Sequence, residues 1–168
     1  MSQEKSKELV ITRTFDAPRD LVWKANSEKD RLAKWWGPKG AKLTVAKLDF
    51  RPGGTFLYGM EAPDGKMMWG KFVYREIVPL EKIVFVVSFC DEHGTPTRNP
   101  FMPKWALETL NTVTFTEENG KTTIRISGGP INATDEERKL FEDNFGGMEQ
   151  GFKGTYDQLE EYLATSKG

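Results

Sequence analysis

The sequence predicts an α+β fold in which an antiparallel sheet curls around one long C-terminal helix, with two short helices after the first strand. Three observations carry this. Apolar residues between about Leu43 and Ser127 recur with period two, the signature of strands. Asp64-Gly65 and Asn119-Gly120 fall between such runs and read as two-residue hairpin turns. Phe141, Phe145, Met148, Phe152, Tyr156, Leu159 and Leu163 instead step by three or four, drawing one apolar stripe along a helix.

The elements follow in order. Leu9 to Phe15 is rich in β-branched residues and reads as a strand. Asp16-Ala17-Pro18 breaks it: Pro18 suits the first turn of a helix and Asp16 suits its N-cap. Leu21, Val22 and Ala25 give that helix its apolar face, and Glu28 to Trp36 predicts a second short helix, ended by Gly37-Pro38. Leu43 and Val45 share one parity and Ala46, Leu48 and Phe50 the other, so a β-bulge near Val45–Ala46 is expected. Arg51-Pro52-Gly53-Gly54 is a turn. Phe56, Tyr58 and Met60 alternate in the next strand, Met68 to Ile77 forms a long one closed by Pro79, and Ile83 to Phe89, apolar on both parities, belongs centrally. Asp91 to Lys104 holds three prolines and no periodicity and reads as a long loop. Thr109 to Thr116 and Thr122–Ser127 are strands, and Gly128-Gly129-Pro130 should stop the sheet. Thr134 with Glu137 is a capping box opening the last helix, which Gly146-Gly147 is placed to kink.

With 168 residues, one domain over residues 1–168 is expected, its core running from about Leu9 to Leu163. The 29% of charged residues leave a net charge of only -1 with no basic block, which argues against nucleic acid or an anionic membrane as partner. A single cysteine, Cys90, permits no internal disulfide. The polar stretch Met1 to Glu8 is no signal peptide, and no apolar run approaches a membrane span. A cytoplasmic location is the expectation.

Catalytic and cofactor motifs are not found. One histidine and one cysteine exclude a multi-His or Cys metal site, so neither metal nor cofactor is expected. Cys90 and His93 could pair as nucleophile and base, but a buried strand-end thiol and a loop imidazole are the simpler reading. Gly53-Gly54 lacks the Lys-Ser or Lys-Thr of a phosphate-binding loop. Gly147, Gly151 and Gly154 share a helical face, and close packing on the sheet is expected ahead of room for a ligand. Glu117-Glu118 and Glu160-Glu161 read as solvated charge. Arg13, Glu108 and Arg125 lie in strand-like segments. They are expected to point outward, since an inward charge needs a partner or a polar ligand group.

Aromatic residues make up 12% of the chain, enough to fill a wide core or to line a pocket. Trp35, Trp36, Phe56, Tyr58, Met60, Met68, Phe72, Tyr74, Phe85, Phe89, Trp105, Phe145, Met148 and Phe152 could border one cavity, with the hydroxyls of Tyr58 and Tyr74 among its polar groups. Parity establishes which way these side chains face. It does not separate a filled core from an open one.

Several segments carry a family likeness: Phe15-Asp16-Ala17-Pro18 with Val22-Trp23, Trp35-Trp36-Gly37-Pro38, Arg51-Pro52-Gly53-Gly54, Gly70 with Ile77 and Pro79, and Gly151-Phe152 ahead of Leu159 and Tyr162-Leu163. In order and spacing the chain resembles the helix-grip superfamily of the birch-pollen allergen, the START domains and the polyketide cyclases. Within it, the chain is similar to the C-terminal domain of the activator of heat-shock-protein-90 ATPase. Phe152 stands where that family often has Trp. The likeness does not extend to the co-chaperone's separate N-terminal domain, so it does not carry over chaperone activation. Members of the family mostly share no catalytic residue set, so the resemblance implies a pocket rather than a reaction.

The leading expectation is therefore binding of a small apolar or amphipathic ligand between sheet and helix. One alternative is a chaperone-associated interaction protein. Another is a pocket enzyme such as a cyclase or hydrolase, which would need Arg13, Tyr58, Tyr74, Glu108 or Arg125 turned inward. The loop from Asp91 to Lys104, with Phe101, Met102 and Trp105 beside it, could act as a lid or as a homodimer interface.

Overall fold

In the computed structural model, which describes residues 8–37, 42–99 and 102–166, the chain opens with strand β1 (Leu9–Phe15). Helix α1 (Arg19–Ser27) follows. Its cap position is Pro18 rather than Asp16. The Pro18 carbonyl accepts the Leu21 and Val22 N–H groups, and Pro18 itself offers no capping side chain. Helix α2 (Lys29–Leu32) is shorter than the expected Glu28 to Trp36. The chain leaves it in turns, the Trp35 and Trp36 N–H groups both reaching the Leu32 carbonyl. Gly37, at φ +111°, takes a conformation that suits glycine. Pro38 lies outside the described residues, as does most of Met1 to Glu8.

The sheet is antiparallel. Among the described residues its strands are β1, β2 (Lys42–Leu48), β3 (Thr55–Glu61), β4 (Met67–Val78), β5 (Lys82–Cys90), β6 (Pro96–Thr97), β7 (Glu108–Glu118) and β8 (Lys121–Ile131). They are ordered β1-β8-β7-β5-β4-β3-β2, with β6 beside β5. The bulge expected near Val45–Ala46 falls between Leu43 and Val45. A second, between Tyr74 and Glu76, was not foreseen. Bulges of this kind bend a strand and sharpen its twist.

Two turns test the hairpin reading. Asn119 and Gly120 both have positive φ and form the expected two-residue loop between β7 and β8. Asp64-Gly65 instead lies in a five-residue connection, residues 62–66, closed by the Ala62 N–H on the Lys66 carbonyl. The loop from Asp91 to Lys104 is not wholly irregular. Beyond Val87, β7 no longer pairs with β5, and β6 takes that edge through Phe89–Thr97 and Cys90–Pro96. Gly128-Gly129-Pro130 does not stop the sheet, because β8 runs through it to Ile131. The missing N–H of Pro130 is tolerated because β1 pairing ends at Leu9–Gly128, leaving that edge of β8 free.

The C-terminal stripe is divided between α3 (Asp135–Asp143) and the long α4 (Phe145–Ser166). The break falls at Asn144, upstream of Gly146-Gly147. The capping box forms as expected. Thr134 Oγ1 accepts from the Glu137 N–H, and Glu137 Oε1 accepts from the Thr134 N–H. No described helix is long and apolar enough to cross a membrane.

One end of the sheet–helix sandwich is solid. Phe15, Val22, Ile124 and Leu159 retain no exposed surface and Phe115 almost none, and Thr122, equally buried, donates its hydroxyl to the Ala17 carbonyl. Tyr156 on α4 meets Phe15 edge-on at 5.8 Å and Trp35 in a stack at 6.1 Å, and the Trp35 N–H is satisfied by the Ala25 carbonyl. These contacts seat the C-terminal half of α4 against β1 and α1.

Candidate functional site

The helix-facing side of the sheet is set by register. Across β2, β3 and β4, Leu43 faces Met60 and Met68, Ala46 faces Tyr58 and Gly70, and Leu48 faces Phe56 and Phe72. Across β4, β5 and β7, Gly70 faces Phe89, Phe72 faces Val87 and Thr109, and Tyr74 faces Phe85 and Asn111. The rings interlock. Phe72 stacks on Phe85 at 4.4 Å, Trp36 meets Phe72 edge-on at 5.0 Å, and Tyr58 lies between Phe56 and Trp36. Gly70 is required here, because a Cβ on it would overlap the Tyr58 hydroxyl and ring. The expected residues Trp35, Phe56, Tyr58, Met60, Phe72, Tyr74 and Phe85 thus gather in one cluster, with Trp36, Val87 and Phe152 packed against it.

Burial along β5 runs opposite to what a filled interior gives. Val86, Ser88 and Cys90, on the outer side, are buried. Val87 and Phe89, facing the helix, are only half-buried. Leu43, Ala46, Leu48 and Met68 on the same face of the sheet share this partial access, as do Phe145, Met148 and Phe152 on the stripe of α4. Accessible apolar surface therefore faces inward at the end of the sandwich away from Phe15 and Leu159.

Around the Tyr58 cluster, polar groups are few and uncharged. Among the described residues no Asp, Glu, Lys, Arg or His is buried. The Trp36 indole nitrogen is buried with no hydrogen-bond partner. It lies close enough to Tyr58 to favour that phenolate slightly, without closing a hydrogen bond. Burial pushes the hydroxyls of Tyr58, Tyr74 and Tyr156 well above the usual phenol range, so all three are neutral at physiological pH. Tyr156 and Asn111 were not among the residues expected at the site. Tyr156 belongs to the apolar stripe, and Asn111 shares parity with Val113 and Phe115, which is the signal that could have found it. Asn111 lies over Gly128, where a Cβ would overlap its side-chain oxygen.

The charged candidates lie elsewhere. Arg13 was expected to point outward. It faces the helix but sits at the sheet margin, clamped by α4: Nη2 is 2.7 Å from Asp157 and 3.1 Å from Glu160, and Nη1 donates to the Lys153 carbonyl. Its guanidinium also stands 5.6 Å from the Phe15 ring centre. The Arg13 hydrogen bond holds Asp157 below the usual carboxylate range, with Lys153 adding to the effect. Arg125 is exposed on the outer side, and Glu108 is half-exposed on that side's parity at the start of β7. Burial raises the Cys90 thiol, and His93 is exposed beside Glu92, so the two do not form a catalytic pair.

The loop after β5 is tied to α3. Arg98 donates to Glu137 at 2.5 Å and to the Trp105 carbonyl, and Lys104 pairs with Glu136 at 2.8 Å. Trp105 meets Phe141, and Phe141 meets Phe145. That ladder places Trp105 and Phe145 apart from the Tyr58 cluster. Phe101 lies outside the described residues. Close packing does not account for the helical glycines: among the described residues nothing comes within 4 Å of a Cβ placed at Gly147, Gly151 or Gly154. No group of three or more potential metal ligands occurs among the described residues.

A family model described as activator of Hsp90 ATPase homolog 1-like protein matches residues 16–164. No curated protein matches the chain. Among solved structures, the chain is similar to a protein from Mycobacterium smegmatis, with 28% identity, a TM-score of 0.76, and coverage of 94% of this chain and 91% of that one. It is likewise similar to a protein from Arthrobacter aurescens, with 25% identity, a TM-score of 0.76, and coverage of 98% and 90%. A Nitrosomonas europaea protein at 24% identity, with a TM-score of 0.76 and coverage of 98% and 99%, shares the fold.

Proposed function

The chain belongs to the activator of Hsp90 ATPase homolog 1-like family of the helix-grip superfamily, and from that premise we propose that it binds a small apolar or amphipathic molecule between the sheet and α4. One observation carries the reading: in central strand β5, the inward Val87 and Phe89 keep accessible surface while the outward Val86, Ser88 and Cys90 lose theirs. Side chains of this size contribute roughly 1.5–3 kcal/mol when fully buried. Leaving them part-exposed on the inward face forgoes some of that stabilisation, which a guest would restore. The neighbourhood suits a guest of this kind: aromatic and aliphatic walls with a few neutral polar atoms.

Chemistry on the bound molecule has little support. The inward hydroxyls are held neutral, and Arg13, Glu108 and Arg125 face carboxylates or solvent rather than the cluster. Chaperone activation belongs to the family's description, and no surface feature among the described residues points to a chaperone partner.

Native mass spectrometry of protein purified from cells tests the proposal. The expected spectrum contains a species heavier than the polypeptide by the mass of one small molecule, lost on organic extraction and regained on adding a neutral apolar probe such as 2-ethylnaphthalene. A bare polypeptide mass both before and after addition of the probe would rule the proposal out.

A further inference from the structure

Resting on the binding reading above, the polar atoms at the inward face specify what kind of molecule fits. The Trp36 N–H can only donate, and it is buried without an acceptor among the described residues. A buried donor left unsatisfied costs about 1–3 kcal/mol, so native proteins rarely retain one. The Tyr58 hydroxyl lies beside it. That ring is held by Gly70 beneath it and by Phe56, Phe72 and Trp36 around it, with centroids 5.0, 5.7 and 6.1 Å away. Neither side chain can swing away to find water without breaking the ring cluster. Tyr74, also a buried residue, lies within electrostatic reach of Tyr58. With no charged side chain buried among the described residues, an ionic ligand group here would lose its hydration and find no counter-ion.

We propose that Trp36 N–H and Tyr58 O–H form a neutral donor pair for one acceptor oxygen, and that the ligand class is an uncharged carbonyl compound, such as a ketone, ester or lactone, on an apolar ring body. The oxygen accepts from both donors while the body lies along Phe72, Val87 and Phe89.

Three naphthalenes of matched size separate the terms: 2-acetylnaphthalene carries the acceptor, 2-ethylnaphthalene lacks it, and 2-naphthoate replaces it with a charge. Titrations are followed by nitrogen–proton NMR of the indole N–H signals, with Trp36 assigned by its loss in Trp36→Phe. Two added hydrogen bonds are expected to make the ketone bind about ten- to a hundredfold more tightly than the hydrocarbon. The Trp36 N–H signal should move downfield with the ketone only, and naphthoate should bind more weakly than either. In Trp36→Phe, and separately in Tyr58→Phe, which removes a single oxygen, the ketone-to-hydrocarbon ratio should fall by about three- to tenfold, the remaining donor keeping the rest. Equal binding of ketone and hydrocarbon to the unmodified protein would overturn the donor pair and leave the pocket standing. So would an undiminished ratio in both variants. If neither neutral probe binds, the pocket reading fails and this inference with it.

Discussion

Replacing Val87 with phenylalanine places a ring where the two accounts of the interior differ most. Val87 faces Phe72 and Thr109 across the sheet and is half-buried on the helix-facing side. In a filled interior the larger side chain forces strain costing typically about 1–3 kcal/mol. At this chain length each kcal/mol corresponds to about 2–4 °C in Tm, so Tm would fall by roughly 2–12 °C. In an interior with free apolar space, the added carbons find contact at roughly 0.8 kcal/mol per methylene-sized group. Allowing for lost side-chain freedom, Tm should then stay level or rise by up to about 4 °C. Differential scanning calorimetry reads the difference, with urea unfolding as a second measure. The same variant should bind 2-ethylnaphthalene at least about tenfold more weakly, since the ring occupies the guest's place. That loss corresponds to about 1.4 kcal/mol. A Tm drop beyond about 4 °C, with probe binding unchanged, would refute the reasoning.

Three further outcomes follow from the same structure. Gly70→Ala puts a methyl group into the Tyr58 ring and should cost about 1–3 kcal/mol by urea unfolding; a neutral result would mean the ring is not held there. Thr134→Ala removes the capping box at the start of α3 and should cost about 0.5–2 kcal/mol. Asp157 is depressed by Arg13, so its contribution is fully present above the unfolded Asp pKa of about 3.9 and is lost as pH falls through its lower folded value. Urea unfolding at pH 7 and near pH 2 should therefore show Asp157→Asn less stable than the parent at the first and closer to it at the second. An equal gap at both would remove the Arg13–Asp157 link.

How much of this was legible in the sequence depended on the range of the determining interaction. Leu9 to Phe15, the Asn119-Gly120 turn and the Thr134–Glu137 box are fixed by neighbours a few residues apart, and they stand where local pattern put them. The misreadings share a distant cause. Gly128-Gly129-Pro130 looked like a terminator because proline interrupts a paired strand, yet its fate turned on where β1 stops pairing, more than a hundred residues earlier. Arg13 looked like an outward charge because only the fold brings Asp157 and Glu160 to meet it. The short β6 depends on β7 leaving the β5 edge open, which no window around Pro96 contains.

The candidate site divides the same way. Alternation assigned Tyr58, Phe72, Tyr74 and Phe85 to one face, and the cluster follows. It could not give the reversed burial along β5, because accessibility at Val87 and Phe89 is a property of what lies opposite. Nor could it find the unpartnered Trp36 nitrogen: Trp35 and Trp36 are adjacent in sequence, yet one donates to the Ala25 carbonyl and the other to nothing among the described residues.

Intermolecular nuclear Overhauser effects between bound 2-ethylnaphthalene and the protein's methyl groups test most directly whether a guest enters between sheet and helix. Strong effects to the methyls of Val87 and Met148, absent at the outward Val10, are the predicted result. Effects confined to outer-face methyls such as those of Val10 and Met67 would contradict it.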